Sequence, residues 1–457
     1  MSGGSWTLED AERYLLGLEL FGMRFGLDRM RRLMTTLDQP ERRFDTVHVV
    51  GTNGKSSTVR MIAAILERHG MRAGAYLSPH LVSFTERIRI DDRDTDQKAF
   101  ARAVQRAAHA AALVDRSASD EDTVTQFEAL TAAAFSELAA REVDVAVIEA
   151  GLGGRYDATN VLPSPAGSSP RGAPSATAAA ASPAGSSPRV TPSATAAAAS
   201  RVQVLTNVGL EHTRWLGPTV RDIAREKLAV VRDGATLVVG NDLHPDAMEE
   251  AGLAAERHGA RLIQAPAEPG VEVAAPGTFQ RRNFALARAA AAAYLETLGR
   301  ELDVAAVRAA ASAVLVPGRM QVIGHEPLTL VDGAHNPAGV AAIAESLPQL
   351  TAGRQLVALV SVLDDKDATE MLRALLPHCE RVVFTRNHSP RALPPATLAS
   401  LAQQIGGPPS ELVQDPRRAL ARARELAGAN GVVLATGSIY LVADLLRPAG
   451  QRNASIL

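Results

Sequence analysis

At 457 residues the chain exceeds one ordinary domain, so two compact domains are expected, each large enough to bury its own core. Hydrophobic residues at 46% and charged residues at 21% are the balance of a folded globular protein rather than a disordered one. A formal net charge of -2 gives no electrostatic reason to expect a nucleic acid or an anionic membrane as partner.

In chain order, MSGGSWTLEDAERYLLGLE carries acidic residues where a signal peptide would carry basic ones. No apolar run approaches the roughly 20 residues of a membrane helix, so a cytoplasmic protein is expected. Apolar residues from Thr7 to Leu37 recur at helical spacing and predict two amphipathic helices. VHVVGTNGKSSTVRMIAAILERHG then runs from a β-branched strand through a glycine-containing turn into a helix. Strand-like VDVAVIEAG and VQVLTNVG alternate with helical stretches, the pattern of a mainly parallel sheet.

Residues from about 164 to 200 break this pattern. SPAGSSPRGAPSATAAAA from Ser164 recurs from Ser182 as SPAGSSPRVTPSATAAAA, with almost nothing large and apolar to bury. This segment reads as a disordered surface insertion within the first domain. The second domain is expected to begin near Val316, with strand-like LTLVDG, LVALVSVL, RVVFT and GVVLATG. The expected fold is α/β: a P-loop-type parallel sheet over residues 1–315 and a smaller Rossmann-like α/β unit over 316–457. The single cysteine, Cys379, excludes an intrachain disulfide, fits a reducing compartment and reads as a buried apolar residue.

Gly51, Thr52, Asn53, Gly54, Lys55, Ser56 and Ser57 occupy the strand-to-helix turn. Glycines there let backbone N–H groups converge on phosphate oxygens at a helix N-terminus. Lys55 would neutralise the β/γ-phosphates, and Ser56 or Ser57 would face magnesium. The loop is shorter than GxxxxGK[ST], because Val49 stands six residues before Lys55.

GTNGK in this short form is similar to the loop of Mur-type ligases. YLSPHLVSFTERIRI, FEALTAAAF, VIEAGLGGRYDATN, TNVGLEHTRWLG, IAREK, FQRRNFALA, PGRM, DGAHNP, DDKD and GSIYL follow in order. With them, nearly the whole chain outside the insertion resembles the folylpolyglutamate synthase and bifunctional dihydrofolate synthase family. The resemblance implies an ATP-dependent ligase that adds L-glutamate to folates, and to dihydropteroate, through an acyl phosphate. The alternative is a Mur-type ligase adding an amino acid to a UDP-linked cell-wall precursor; GLGGRYDATN, LSPHL and FQRRN favour the folate branch.

The resemblance further implies two magnesium ions, a carbamylated Lys227 and a monomer without nucleic-acid or membrane partners. Glu149, which ends a strand, Ser78 and His212 would hold magnesium beside Ser56 and Ser57. From residue chemistry alone, Ser78 reads equally as a Ser-Pro turn, His212 as a hydrogen-bonded loop histidine, and Lys227 as a solvated helix lysine. Catalysis would fall to Lys55, Lys227, His212 and Arg319, the last reaching the γ-phosphate as the domains close. Gln280, Asn283, Arg319 and Asp332 are expected at the nucleotide. For folate and glutamate the expected contacts are Pro79, His80, Phe127, Arg155, Asp157, His335, Ser438 and Tyr440. The Asp365-Lys366-Asp367 signature is assigned no role.

Overall fold

In a computed structural model the described residues are 4–18, 26–116, 123–165 and 198–448. The first sheet holds β1 (Asp45–Val50), β2 (Ala73–Tyr76), β3 (Ile88–Ile90), β4 (Arg93–Asp94), β5 (Val145–Glu149), β6 (Ser200–Leu205), β7 (Thr236–Val239) and β8 (Arg261–Gln264). Their order is β4-β3-β2-β5-β1-β6-β7-β8, parallel except where β3 meets β2 and β4. The second sheet holds β9 (Gln321–His325), β10 (Leu328–Val331), β11 (Leu356–Val360), β12 (Arg381–Phe384), β13 (Ser410–Leu412) and β14 (Val432–Thr436). Its order is β13-β12-β11-β14-β10-β9, with only β9 antiparallel. Central β1, β5, β11 and β14 are buried along their whole length, as strands covered on both faces must be.

The helices Lys55–Arg68 and Thr278–Thr297 pack on one face of the first sheet through Val59, Ile62, Phe284 and Tyr294. On the other face lie the alanine-rich helices Gln97–Asp115 and Gln126–Ala140, joined by the two N-terminal helices Leu8–Leu16 and Asp28–Thr36. A capping box of Thr7 with Asp10 starts the first of these, and Ala11 and Leu15 are its buried face. Residues 166–197 of the insertion lie outside the described residues. Its downstream limit moves inward, because Ala199 and Ser200 are buried and belong to the sheet: Thr46 N–H donates to Ala199 O at 2.9 Å. Ser200 N–H donates to Pro163 O at 2.9 Å, so both ends of the insertion are held side by side.

Val314 and Val316 still pack in the first core, whereas Met320 packs in the second. Cys379 is only partly buried at the edge of the second core, its Sγ donating to Leu375 O at 3.4 Å. Among the described residues no helix is long and apolar enough to cross a membrane.

Candidate active site

Parallel strands deliver their following loops to one edge, and here the two sheets turn those edges toward each other. Between them lies a cleft of about 800 Å³. The loops after β1, β2, β5 and β6 form one wall, and those after β10, β11 and β14 form the other.

Gly51 and Gly54 are required where they stand. A Cβ on Gly51 would come within 1.8 Å of Thr206 Oγ1, and Gly54 has φ 82° with Asn283 packed against it. Thr206 Oγ1 donates to Asn53 O at 2.6 Å, and Asn53 N–H donates to Asn207 Oδ1 at 2.8 Å, so β6 shapes the loop from the side. Lys55 Nζ is folded over the loop, donating to the carbonyls of Gly51 and Thr52 at 3.1 and 3.2 Å.

Glu149, at the end of β5, joins two of the expected metal-site residues. Its Oε1 accepts from Ser56 Oγ at 2.9 Å and its Oε2 from Ser78 N–H at 3.2 Å. Burial raises its pKa, and Lys55, the Ser78 and Ser56 bonds and Arg319 oppose that rise. Ser57 is buried along the same wall. His212 borders the cleft with a left-handed backbone, φ 53°, a strained geometry that concentrates at functional sites. Burial together with Lys366, Lys55 and Lys227 pushes its pKa down to about 4 against the pull of Glu211, leaving a neutral imidazole able to bind a metal. These are hard oxygen donors plus one imidazole on an open wall, a set that suits a divalent cation completing its shell with water and phosphate. Among the described residues no closed cluster of His, Cys, Asp and Glu forms a metal cage by itself.

Lys227 approaches the phosphate loop from below. It is 4% exposed, and its Nζ donates to Gly51 O at 2.8 Å. Burial, with Lys55 adding repulsion, lowers its pKa to about 7.

From the opposite wall, Arg319 lies 4.0 Å from Asp332. Both oxygens of Asp332 are taken by backbone N–H groups of Met320 and Ala334, at 2.8 Å each. Asp332 thus ties PGRM to DGAHNP. Ser438 caps its helix by accepting from Tyr440 N–H, and both residues border the cleft. Pro79 and Phe127 border it too, as does Arg87 from the same loop as Pro79.

Gly51 and Lys227 lie just behind the cleft lining, and four further expected contacts do not line it either. His80 is buried beneath it, its ring tilted against Phe84 with centroids 4.2 Å apart and its Nδ1 accepting from Arg87, so it orients that guanidinium. Asp157 is buried and closes the GLGGRYD turn, accepting from the N–H groups of Leu152 and Thr159. Arg155 is half exposed and pairs with Glu226 at 3.3 Å. Gln280 is fully buried and accepts at Oε1 from Asn283 Nδ2, so it aims the amide that does reach the cleft.

The dihydrofolate synthase/folylpolyglutamate synthase of Mycobacterium tuberculosis is 33% identical to this chain over 418 residues, covering 84% of this chain and 78% of that protein. The chain belongs to the dihydrofolate synthase/folylpolyglutamate synthase family. The family model for the Mur ligase glutamate ligase domain matches residues 318–439. The M. tuberculosis folylpolyglutamate synthase complexed with ADP and AMPPCP superposes with a TM-score of 0.79 at 30% identity, covering 94% of this chain and 96% of that one. The Yersinia pestis bifunctional folylpolyglutamate synthase/dihydrofolate synthase, complexed with AMPPNP and a manganese ion, gives 0.76 at 26% identity, covering 97% and 98%.

Within this family's motifs, sequence reasoning passed over Glu211 and Asn336. Glu211 immediately precedes His212, and its carboxylate lies 3.4 Å from His335 Nε2 and 3.5 Å from Lys366 Nζ. Burial would raise its pKa, but the bond to His335 and the charge of Lys366 prevail and hold it below the carboxylate range. Asn336 caps the helix Pro337–Thr351 and meets Asn53 of the phosphate loop. An asparagine directly before a proline is a helix-start signal that could have singled it out.

Proposed function

We propose that this cleft is where an ATP-dependent ligase adds L-glutamate to folates, and to dihydropteroate, through an acyl phosphate. The observation that carries the reading is the division of labour between the walls. One wall has the phosphate loop and the Glu149–Ser56–Ser78 cluster; the other has Arg319, His335, Ser438 and Tyr440. Family membership supplies the substrate class, and a ligase acting on a UDP-linked precursor is not favoured. The relatives bound to AMPPCP and to AMPPNP with manganese support ATP and a divalent metal at the corresponding place.

An amide ligase must activate a carboxylate and hold it in line for an amine. Lys55 supplies charge at the transferring phosphate, and Arg319 adds a guanidinium from the second wall. Glu149, Ser56, Ser78 and His212 would hold magnesium, which would neutralise phosphate charge. Lys227, with its amine near neutrality and packed against Gly51, is suited to accept CO2 as a carbamate, giving an anionic oxygen ligand for a second ion. Phe127 offers an aromatic face to a flat pterin, and Arg87 and Pro79 border the same region. The domain boundary falls between Val316 and Met320, where the chain changes cores. Both walls come from one chain, which supports a monomer, and the lone cysteine fits the cytoplasm.

Incubation with ATP, magnesium and glutamate plus either dihydropteroate or tetrahydrofolate should release ADP and a product heavier by one glutamyl unit. ADP release only with a UDP-linked cell-wall precursor would overturn the reading.

A further inference from the structure

Glu211 leaves the end of β6 on the first wall, yet its nearest nitrogen partners belong to both walls. Its Oε1 lies 3.4 Å from His335 Nε2 and 3.5 Å from Lys366 Nζ, both on the second wall, and 3.8 Å from His212 Nε2 on its own. Its side chain is 11% exposed and that of Lys366 13%, so these charges meet largely out of water. Among the described residues Lys366 has one other acidic neighbour, Asp365, at 3.7 Å, and Asp365 is itself shared with Arg391 at 3.4 Å. The loop carrying Lys366 is fixed: Asp364 N–H donates to Arg391 O at 2.8 Å, and Leu363 bridges Ala392. His335 is equally held, with Nδ1 against Gly333 O at 2.9 Å. An anchored lysine and an anchored imidazole of one domain therefore converge on a single carboxylate of the other.

We propose that Glu211 is a positioning residue that clasps the two walls, setting the second-domain groups that receive glutamate against the first-domain groups that hold ATP. The inference rests on the ligase reading. Through Lys366 it gives the DDKD segment a role, which is to present a cation to the opposite wall. Among the described residues no hydrogen bond or ion pair joins Glu211 or Lys366 to residues 51–57; their direct contacts are with each other, His335, His212 and Asp365. Losing the charge should therefore harm alignment and leave nucleotide capture intact.

The test uses the full chain with ATP, magnesium and tetrahydrofolate, comparing E211Q, K366M and the double variant. Glutamine keeps the shape of Glu211 and removes its charge. Each single variant should lower kcat/KM for L-glutamate on the order of tenfold, and the double should be no worse than either, because both break one unit. AMPPNP affinity by calorimetry should stay within about twofold of the parent. Small-angle scattering with AMPPNP and tetrahydrofolate should show the parent contracting and E211Q contracting less. Should E211Q melt before assay, K366M, which leaves the carboxylate in place, carries the test. Unchanged glutamate kcat/KM, additive single effects, or a parallel loss of AMPPNP affinity would each overturn the clasp. A parent that makes no glutamylated product overturns the ligase reading instead.

Discussion

Asn53 of the phosphate loop and Asn336 of the second domain exchange two hydrogen bonds: Asn53 Nδ2 donates to Asn336 Oδ1 at 3.2 Å, and Asn336 Nδ2 returns one to Asn53 Oδ1 at 3.0 Å. Asn336 Oδ1 also caps its helix by accepting from Gly339 N–H at 2.7 Å. The same side chain therefore begins a helix in one domain and braces the nucleotide loop of the other. Asn336→Ala loses all three bonds, the cap included, and should destabilise by about 1–2 kcal/mol. Asn53→Ala keeps the cap and should cost less, about 1 kcal/mol. Urea unfolding of the two variants checks the order, and equal losses would mean the cap is worth nothing here.

The serines after Lys55 are not equivalent. Ser56 Oγ lies on Glu149, whereas Ser57 has no such bond and is 2% exposed in the wall. Ser56→Ala should raise the magnesium concentration needed for half-maximal turnover by about tenfold, the scale of one lost metal-site partner. Ser57→Ala should shift it much less. Magnesium titrations of both variants decide the matter, and a larger effect from Ser57 would reverse the assignment.

Lys227 predicts a pH dependence. Burial and Lys55 bring its pKa to about 7 in the folded protein, against an ordinary lysine value of 10.5. Above about pH 7 the folded amine is neutral and can take up CO2; below it, protonation blocks the reaction. Intact mass measured gently in bicarbonate should show the adduct at pH 8 and lose it toward pH 6. In CO2-free buffer the unfolded chain holds the extra proton between these two pKa values, so stability should rise with pH across that window. Lys227→Ala should abolish the adduct, that slope and nearly all turnover; a fully active variant would refute the carbamate.

Leu81 sits in the loop that carries Ser78, yet it packs in the second core beside Val442, and Gly318 of the junction closes over it. That loop is stiff, because Glu86 accepts from the N–H groups of Leu81, Val82 and Ser83 at 2.8, 2.7 and 2.7 Å. Leu81→Ala should cost about 2–5 kcal/mol and leave a cavity between the domains. Beyond stability, it should raise KM for the folate more than KM for ATP, measured at a temperature where the variant is folded. An equal rise in both would argue that Leu81 serves packing alone.

Local chemistry made the first wall readable. The phosphate loop announces itself through glycines beside a lysine at a strand-to-helix turn, and Glu149 through an apolar strand ending in an acid. Alternating elements likewise disclosed both α/β units. Partners that depend on how one domain meets the other were hidden, since nothing near Glu211 in sequence points to Lys366, 155 residues on. Motif membership also blurred contact with support. His80, Asp157 and Gln280 stand in motifs that shape the cleft, but each is buried behind it, holding Arg87, a glycine-rich turn and Asn283 respectively. Short motifs encode both kinds of residue, and only packing separates them.

Pro163 and Ser200 meet at the start of β6, the end of the strand remote from the cleft. Whatever chain runs between them enters and leaves through one hydrogen-bonded gate, so its length is nearly free to vary: loop closure costs grow only with the logarithm of length. That gate is a natural port for a guest. A guest domain entering there would start and finish at the rim opposite the ligase edge.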